Sequence, residues 1–183
     1  MRKIVAGLLI SLDGVVESPS AWGFSQYFND EMRDGIQAGI AQADAVLLGR
    51  RTYLEFAGLW PSQGSDVLMA DFLNNSPKYV VSTTLDTLGW AHSSLLTGDL
   101  AGQLTKLKQQ PGKNILIPGS PTLVGSLLRR GLLDELSLNI CPVVVGSGMR
   151  LFEGITHQVR LERVESTALR TGVLSVTYKP APA

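Results

Sequence analysis

Apolar residues fall along this chain in short unbroken runs: KIVAGLLI (3–10), AVLLG (45–49), KYVVS (78–82), SLLT (94–97), NILIPG (114–119) and LSLNICPVVVG (136–146). Most of these runs do not alternate, as expected of strands covered on both faces. The tail is patterned differently. In VRLERVESTAL (159–169) and VLSVTYK (173–179) apolar and polar residues alternate, and Thr171-Gly172 lies between them. That pattern predicts a hairpin with one solvated face.

Helical patterns sit between the runs. Asn29 can cap a helix whose first turn holds Asp30 and Glu31, with Met32, Ile36 and Ile40 on one face. Asp99 can start a second, with Leu100, Leu104 and Leu107 on one face. Ser120-Pro121 begins a third, with proline at the first helical position and Gly131 just past its end. A further helix opens after Gly49. Strands alternating with helices imply an α/β fold with a mainly parallel sheet, and the closing hairpin adds antiparallel edge strands. The pattern predicts eight strands and about four helices. No linker, repeat or low-complexity segment divides the chain, so residues 1–183 read as a single domain.

Composition narrows the class. The chain is 44% hydrophobic and 17% charged, which suits a folded core. Sixteen basic residues balance sixteen acidic ones, leaving no global field for nucleic acid or an anionic membrane. The single cysteine, Cys141, excludes an intrachain disulfide and a cysteine-based metal cluster, and fits a reducing cytosol. The opening MRKIVAGLLISLDG loosely imitates a leader, but its apolar run is short and ends at Asp13, so it reads as a buried first strand. No apolar stretch approaches the ~20 residues needed to span a bilayer.

Familiar catalytic sets are missing. His92 and His157 stand in predicted loops with no HExxH, HxH or CxxC nearby, so no metal site is expected. Neither a Gly-x-Ser-x-Gly elbow nor a GxxxxGK[ST] loop occurs. Gly146-x-Gly148 imitates a dinucleotide fingerprint, but Leu151 stands where a third small residue belongs, and the segment reads as a tight turn between antiparallel strands.

What remains is glycine, hydroxyl and arginine residues at predicted strand ends: Gly49-Arg50-Arg51-Thr52, Ser82-Thr83-Thr84 and Gly119-Ser120-Pro121-Thr122. Two of these open helices, whose N-termini favour phosphate. Ligands of open α/β sheets gather at such ends. Two phosphate-ready ends and one hydroxyl-rich end fit a dinucleotide carrying an additional phosphate. Taken singly, each reads as a helix cap or a solvated charge; taken together they read as a site.

The markers ISLDG (10–14), LLGRRTY (47–53), KYVVS (78–82), IPGSPTLVGSLLRRGLLDEL (117–136) and PVVVGSGMRLF (142–152) together resemble the dihydrofolate reductase fold. They resemble more closely its branch named for the C-terminal reductase domain of the bifunctional riboflavin-biosynthesis deaminase–reductase. The resemblance implies a three-layer α/β/α domain that binds NADPH and passes hydride to a pterin- or pyrimidine-like heterocycle. It implies cofactor contacts from Gly49, Arg50, Arg51, Thr52, Ser82, Thr83, Gly119, Ser120 and Thr122. Arg50 is the expected partner of the 2′-phosphate, with Arg51 as competitor. Asp30 is the expected buried carboxylate of the catalytic site, with Glu31 behind it. Asp13, Trp22 and Asn139 are the expected substrate contacts, with residues 11–28 as a mobile lid. Homodimerisation through strand edges is also implied. Neither half of a zinc deaminase signature occurs. The alternatives are dihydrofolate reduction proper and a non-catalytic nucleotide-binding domain.

Overall fold

The computed structural model describes residues 1–182. Its strands are β1 (Ile4–Ser11), β2 (Ala43–Gly49), β3 (Lys78–Val81), β4 (Ser93–Leu96), β5 (Asn114–Pro118), β6 (Glu135–Cys141), β7 (Leu161–Ala168) and β8 (Leu174–Pro180). The α-helices are α1 (Asp30–Ala41), α2 (Arg50–Leu59), α3 (Ala70–Asn75), α4 (Leu100–Gln109) and α5 (Pro121–Arg129). All eight strands join one sheet in the order β4-β3-β2-β5-β1-β6-β8-β7. The first six run parallel, and the β7–β8 hairpin closes one edge antiparallel to β6.

The sheet is covered on both faces. Ile4, Ala6, Leu8 and Ile10 of β1 point into the main core, where they meet Leu104 and Leu107 of α4 and Leu123 and Leu127 of α5. On the other face Val46 and Leu48 of β2 pack with Tyr53, Leu73 and Trp90 beneath α2 and α3. Helix α1 shares that second face but rests on it only at its start. There Met32 packs with Cys141, Leu169 and Val173, while most of the remaining helix is exposed. A gap is left between α1 and the strands beside it.

Local chemistry explains the boundaries. The Asn29 side chain accepts the Met32 N–H at 3.0 Å, and Asp99 accepts the Gly102 N–H at 3.1 Å, so both expected caps form. Helix α5 opens on Pro121, but Ser120 does not cap it, because its hydroxyl is used elsewhere. Among the described residues there are five α-helices rather than about four; the extra one, α3, is six residues long and too short to show a helical period. Strand β6 stops at Cys141 rather than continuing to residue 146, because Pro142 has no N–H to continue the ladder. The segment after it is not a turn between antiparallel strands: β6 is flanked by β1 and β8. The segment instead folds back to the loop after β1, where Val15 and Arg150 form an antiparallel bridge. No helix is long and apolar enough to cross a membrane among the described residues.

Candidate functional site

A cleft of about 1660 Å³ runs from the carboxyl ends of β2, β3 and β5 along the open sheet face beneath α1. Pockets for one drug-sized ligand measure about 300–1,000 Å³, so this one has room for two ligands side by side. It is lined by Gly49, Arg50, Arg51, Thr52, Ser82, Thr83, Gly119, Ser120 and Thr122, which the fold brings together at one end.

The β2 end is shaped for something outside the chain. Gly49 has φ −78°, a conformation open to any residue, and an added β-carbon would meet its nearest neighbour, Leu123 Cβ, at an ordinary 3.6 Å. Nothing inside the protein therefore demands glycine there. Helix α2 starts without a capping side chain and without an acidic residue in its first turn, so the partial positive charge of its N-terminus is uncompensated. The two arginines then part ways. Arg51 pairs with Glu17 at 2.8 Å and Glu55 at 3.3 Å, and both carboxylates hold its pKa up. Arg50 is exposed and forms no ion pair or side-chain hydrogen bond among the described residues.

The β5 end is built from two left-handed residues, Gly119 at φ 93° and Ser120 at φ 52°. Ser120 is buried, and its hydroxyl accepts the Gly49 N–H at 3.0 Å, tying this turn to the one after β2. At the β3 end Ser82 is also buried. Its hydroxyl accepts the N–H groups of Thr84 and Leu85, both at 3.1 Å, and so fixes the turn that presents exposed Thr83.

The expected substrate residues separate. Asp30 does not enter the cleft: its side chain lies in solvent on α1 and pairs with Arg33 one turn along. Glu31 lines the cleft instead. The Glu31 carboxylate accepts the Arg170 N–H at 2.8 Å and the Asn29 amide at 3.0 Å, and these bonds hold its pKa below the usual carboxylate range. Asp13 also lies outside the cleft. It accepts from the N–H groups of Val145 (3.0 Å) and Gly146 (2.9 Å) and from the Ser11 hydroxyl (2.7 Å). Those donors keep it ionised well below the ordinary range, and its work is to pin the loop after β6. Trp22 packs beside Met32 and Cys141 and donates its indole N–H to the Glu17 carbonyl at 3.1 Å, which anchors the loop after β1 rather than lining the cleft. Glu17 completes that anchoring: Arg51 and the Met149 N–H both lower its pKa. Asn139 does line the cleft, from β6.

Residues missed in the sequence complete the sheet face. Gly7 of β1 has no atom within 4 Å of where a β-carbon would stand, so it keeps the floor of the cleft open. Ser137 and Thr177, on adjacent strands, join hydroxyls at 2.9 Å, and Thr177 donates to Glu165 at 3.5 Å. The signal was present as the polar alternate positions of LSLN and VLSVTYK, which also describe a strand facing solvent. Among the described residues no group of three or more His, Cys, Asp or Glu side chains could hold a metal ion.

A family model described as the RibD C-terminal domain matches residues 2–175. The uncharacterised Bacillus subtilis protein YyaP is 26% identical over 190 residues, covering 97% of this chain and 94% of that protein. A structure from Shewanella sp. PV-4, assigned provisionally to riboflavin biosynthesis, superposes with a TM-score of 0.79 at 20% identity, over 98% of this chain and 99% of that one. The deaminase/5-amino-6-(5-phosphoribosylamino)uracil reductase of Thermotoga maritima gives 0.69 at 16% identity, over 98% of this chain but 57% of that longer one. The Enterococcus faecalis dihydrofolate reductase complexed with NADP(H) gives 0.58 at 14% identity, over 98% and 97%. At these identities the structures establish a shared dihydrofolate reductase-like fold.

Proposed function

The chain belongs to the RibD C-terminal domain family, and from that membership we propose that it is an NADPH-dependent reductase acting on a pterin- or pyrimidine-like heterocycle. The observation that carries this reading is the joining of two unlike compartments in one cleft. At one end stand a free arginine, an uncapped helix start and a left-handed turn. Beside them is a polar sheet face lined by carboxylates, among them the ionised Glu31.

The residues of the first end fit the cofactor. Arg50 has no side-chain partner among the described residues and would take the 2′-phosphate, for which a guanidinium offers paired hydrogen bonds. Thr52, Gly119, Ser120 and Thr122 would border the pyrophosphate, and Thr83 the adenosine side. Bound NADPH supplies hydride, and the protein supplies position and electrostatics. Glu31 is held ionised, which suits it to accept hydrogen bonds from ring N–H and amino groups and not to donate a proton at neutral pH. It would orient the acceptor over Gly7 and beside Asn139, and water would supply the proton.

Titration with NADPH and NADH, followed by a screen of heterocycles for NADPH oxidation, tests the reading. NADPH bound at least about tenfold more tightly than NADH is expected; equal affinities would remove the cofactor assignment. The reading includes a cytoplasmic homodimer. In its support, β7 is an edge strand exposed along almost its whole length, with its pairing groups open on one side. Sedimentation should give twice the 19.7 kDa chain mass, and a monomer at all concentrations would remove the dimer.

A further inference from the structure

Charge is distributed unevenly along the cleft. The cations lining it are Arg50, Arg51 and Arg130, and all three belong to α2 or to the residue just after α5. The half beneath α1 is different. Its charged lining residues are Glu31, Glu135 and Glu165, and among the described residues no lysine or arginine lines it. The nearest cations are already engaged: Arg170 holds Glu31 at 3.0 Å and Lys3 holds Glu135 at 2.6 Å. Glu165 has no ion-pair partner among the described residues and receives only the Thr177 hydroxyl, at 3.5 Å.

The one helix that starts in this half offers an anion nothing. The first turn of α1 carries Asp30 and Glu31, and Asn29 already occupies the Met32 N–H. Its dipole is therefore answered from within the chain. A phosphate here would lose water, face an unpaired carboxylate and find no unpaired guanidinium or ammonium and no free helix start in return. The hydroxyl of Ser137, the amide of Asn139 and the carboxylates are instead good partners for ring N–H, amino and sugar hydroxyl groups.

We infer that the acceptor carries no phosphate: this half of the cleft takes an uncharged or cationic heterocycle, bare or joined to a sugar or polyol. The inference rests on the reading that the arginine-bearing half takes NADPH. It sets this chain apart from the phosphoribosylated substrate in the name of the Thermotoga maritima enzyme.

The test uses the full-length protein saturated with NADPH and calorimetric titration of matched pairs. One pair is 5-amino-6-(5-phosphoribosylamino)uracil and its dephosphorylated form; the other is dihydroneopterin and its phosphate. In each pair that binds, the unphosphorylated member should be tighter by about tenfold or more. Glu165→Lys, which supplies the missing cation, should narrow that preference by about threefold or more without changing NADPH affinity. Equal or tighter binding of the phosphorylated members would overturn the inference and leave the reductase reading standing. No binding by any of the four, or a preference indifferent to Glu165→Lys, would overturn it too. Failure of NADPH itself to bind would strike the reading beneath it.

Discussion

Arg50 and Arg51 are neighbours in sequence and unlike in circumstance. Two carboxylates hold Arg51, while Arg50 is exposed and has no ion pair among the described residues. A hydrogen bond to a charged group contributes roughly 1.5–3 kcal/mol, and about 1.4 kcal/mol is tenfold in affinity. Arg50→Ala should therefore weaken NADPH by about 10- to 150-fold and leave NADH nearly unchanged, as read by fluorescence titration; equal losses would mean the side chain is structural or touches the pyrophosphate. A second pair of neighbours parts in the same way. Asp30→Asn should leave turnover and NADPH affinity within about twofold of the parent, whereas Glu31→Gln should lower turnover by about tenfold or more with NADPH affinity kept, because the charge-assisted bond to the acceptor is lost. Steady-state kinetics with the acceptor found in the screen decides between the two. Glycine, hydroxyl and arginine at strand ends were legible in the sequence because their chemistry is local. The choice between Asp30 and Glu31 was not, since one residue rotates a helical side chain by about 100° and only docking decides which faces inward.

At the scale of elements, the strands were legible because burial on both faces writes itself as apolar runs, and the hairpin because Gly172 interrupts alternation. What could not be read was which surface a polar strand face meets. Ser175 and Thr177 look solvated in sequence, yet they face the cleft because α1 stands away from the sheet. Asp13 looked like a site residue and proves to be a clasp for a loop more than a hundred positions away, a pairing no local pattern encodes. Lys78, in β3, shows a comparable device. It is fully buried, donates to the carbonyls of Leu73, Asn74 and Ser76 at the end of α3, and lies 4.5 Å from the Trp90 ring centre. Lys78→Met should cost about 1–3 kcal/mol by leaving those carbonyls unpaired. Burial pushes the Lys78 ammonium down to about 8, below the ~10.4 of a free lysine. Between those values the unfolded chain keeps a proton that the folded chain has released, so stability rises with pH. Urea denaturation from about pH 8 to pH 10 should thus show the parent gaining on Lys78→Met; a constant difference would mean that Lys78 titrates normally.

For the molecule as a whole, a ligand that binds only the folded state raises its stability by about 2.7 kcal/mol at one hundred times its dissociation constant. For a chain of this length that is roughly 5–10 °C in melting temperature. NADPH should produce such a shift in the parent and a much smaller one in Arg50→Ala at the same concentration; an undiminished shift in the variant would separate Arg50 from the cofactor. The bond from Gly49 to Ser120 bears on the same equilibrium. Ser120 holds a left-handed φ of 52° that glycine would hold more easily, but glycine has no side-chain oxygen with which to grip the neighbouring turn. The two turns are thereby one mechanical part. A long ligand laid across them finds both already in register, and the ordering that association would otherwise demand has been completed by folding.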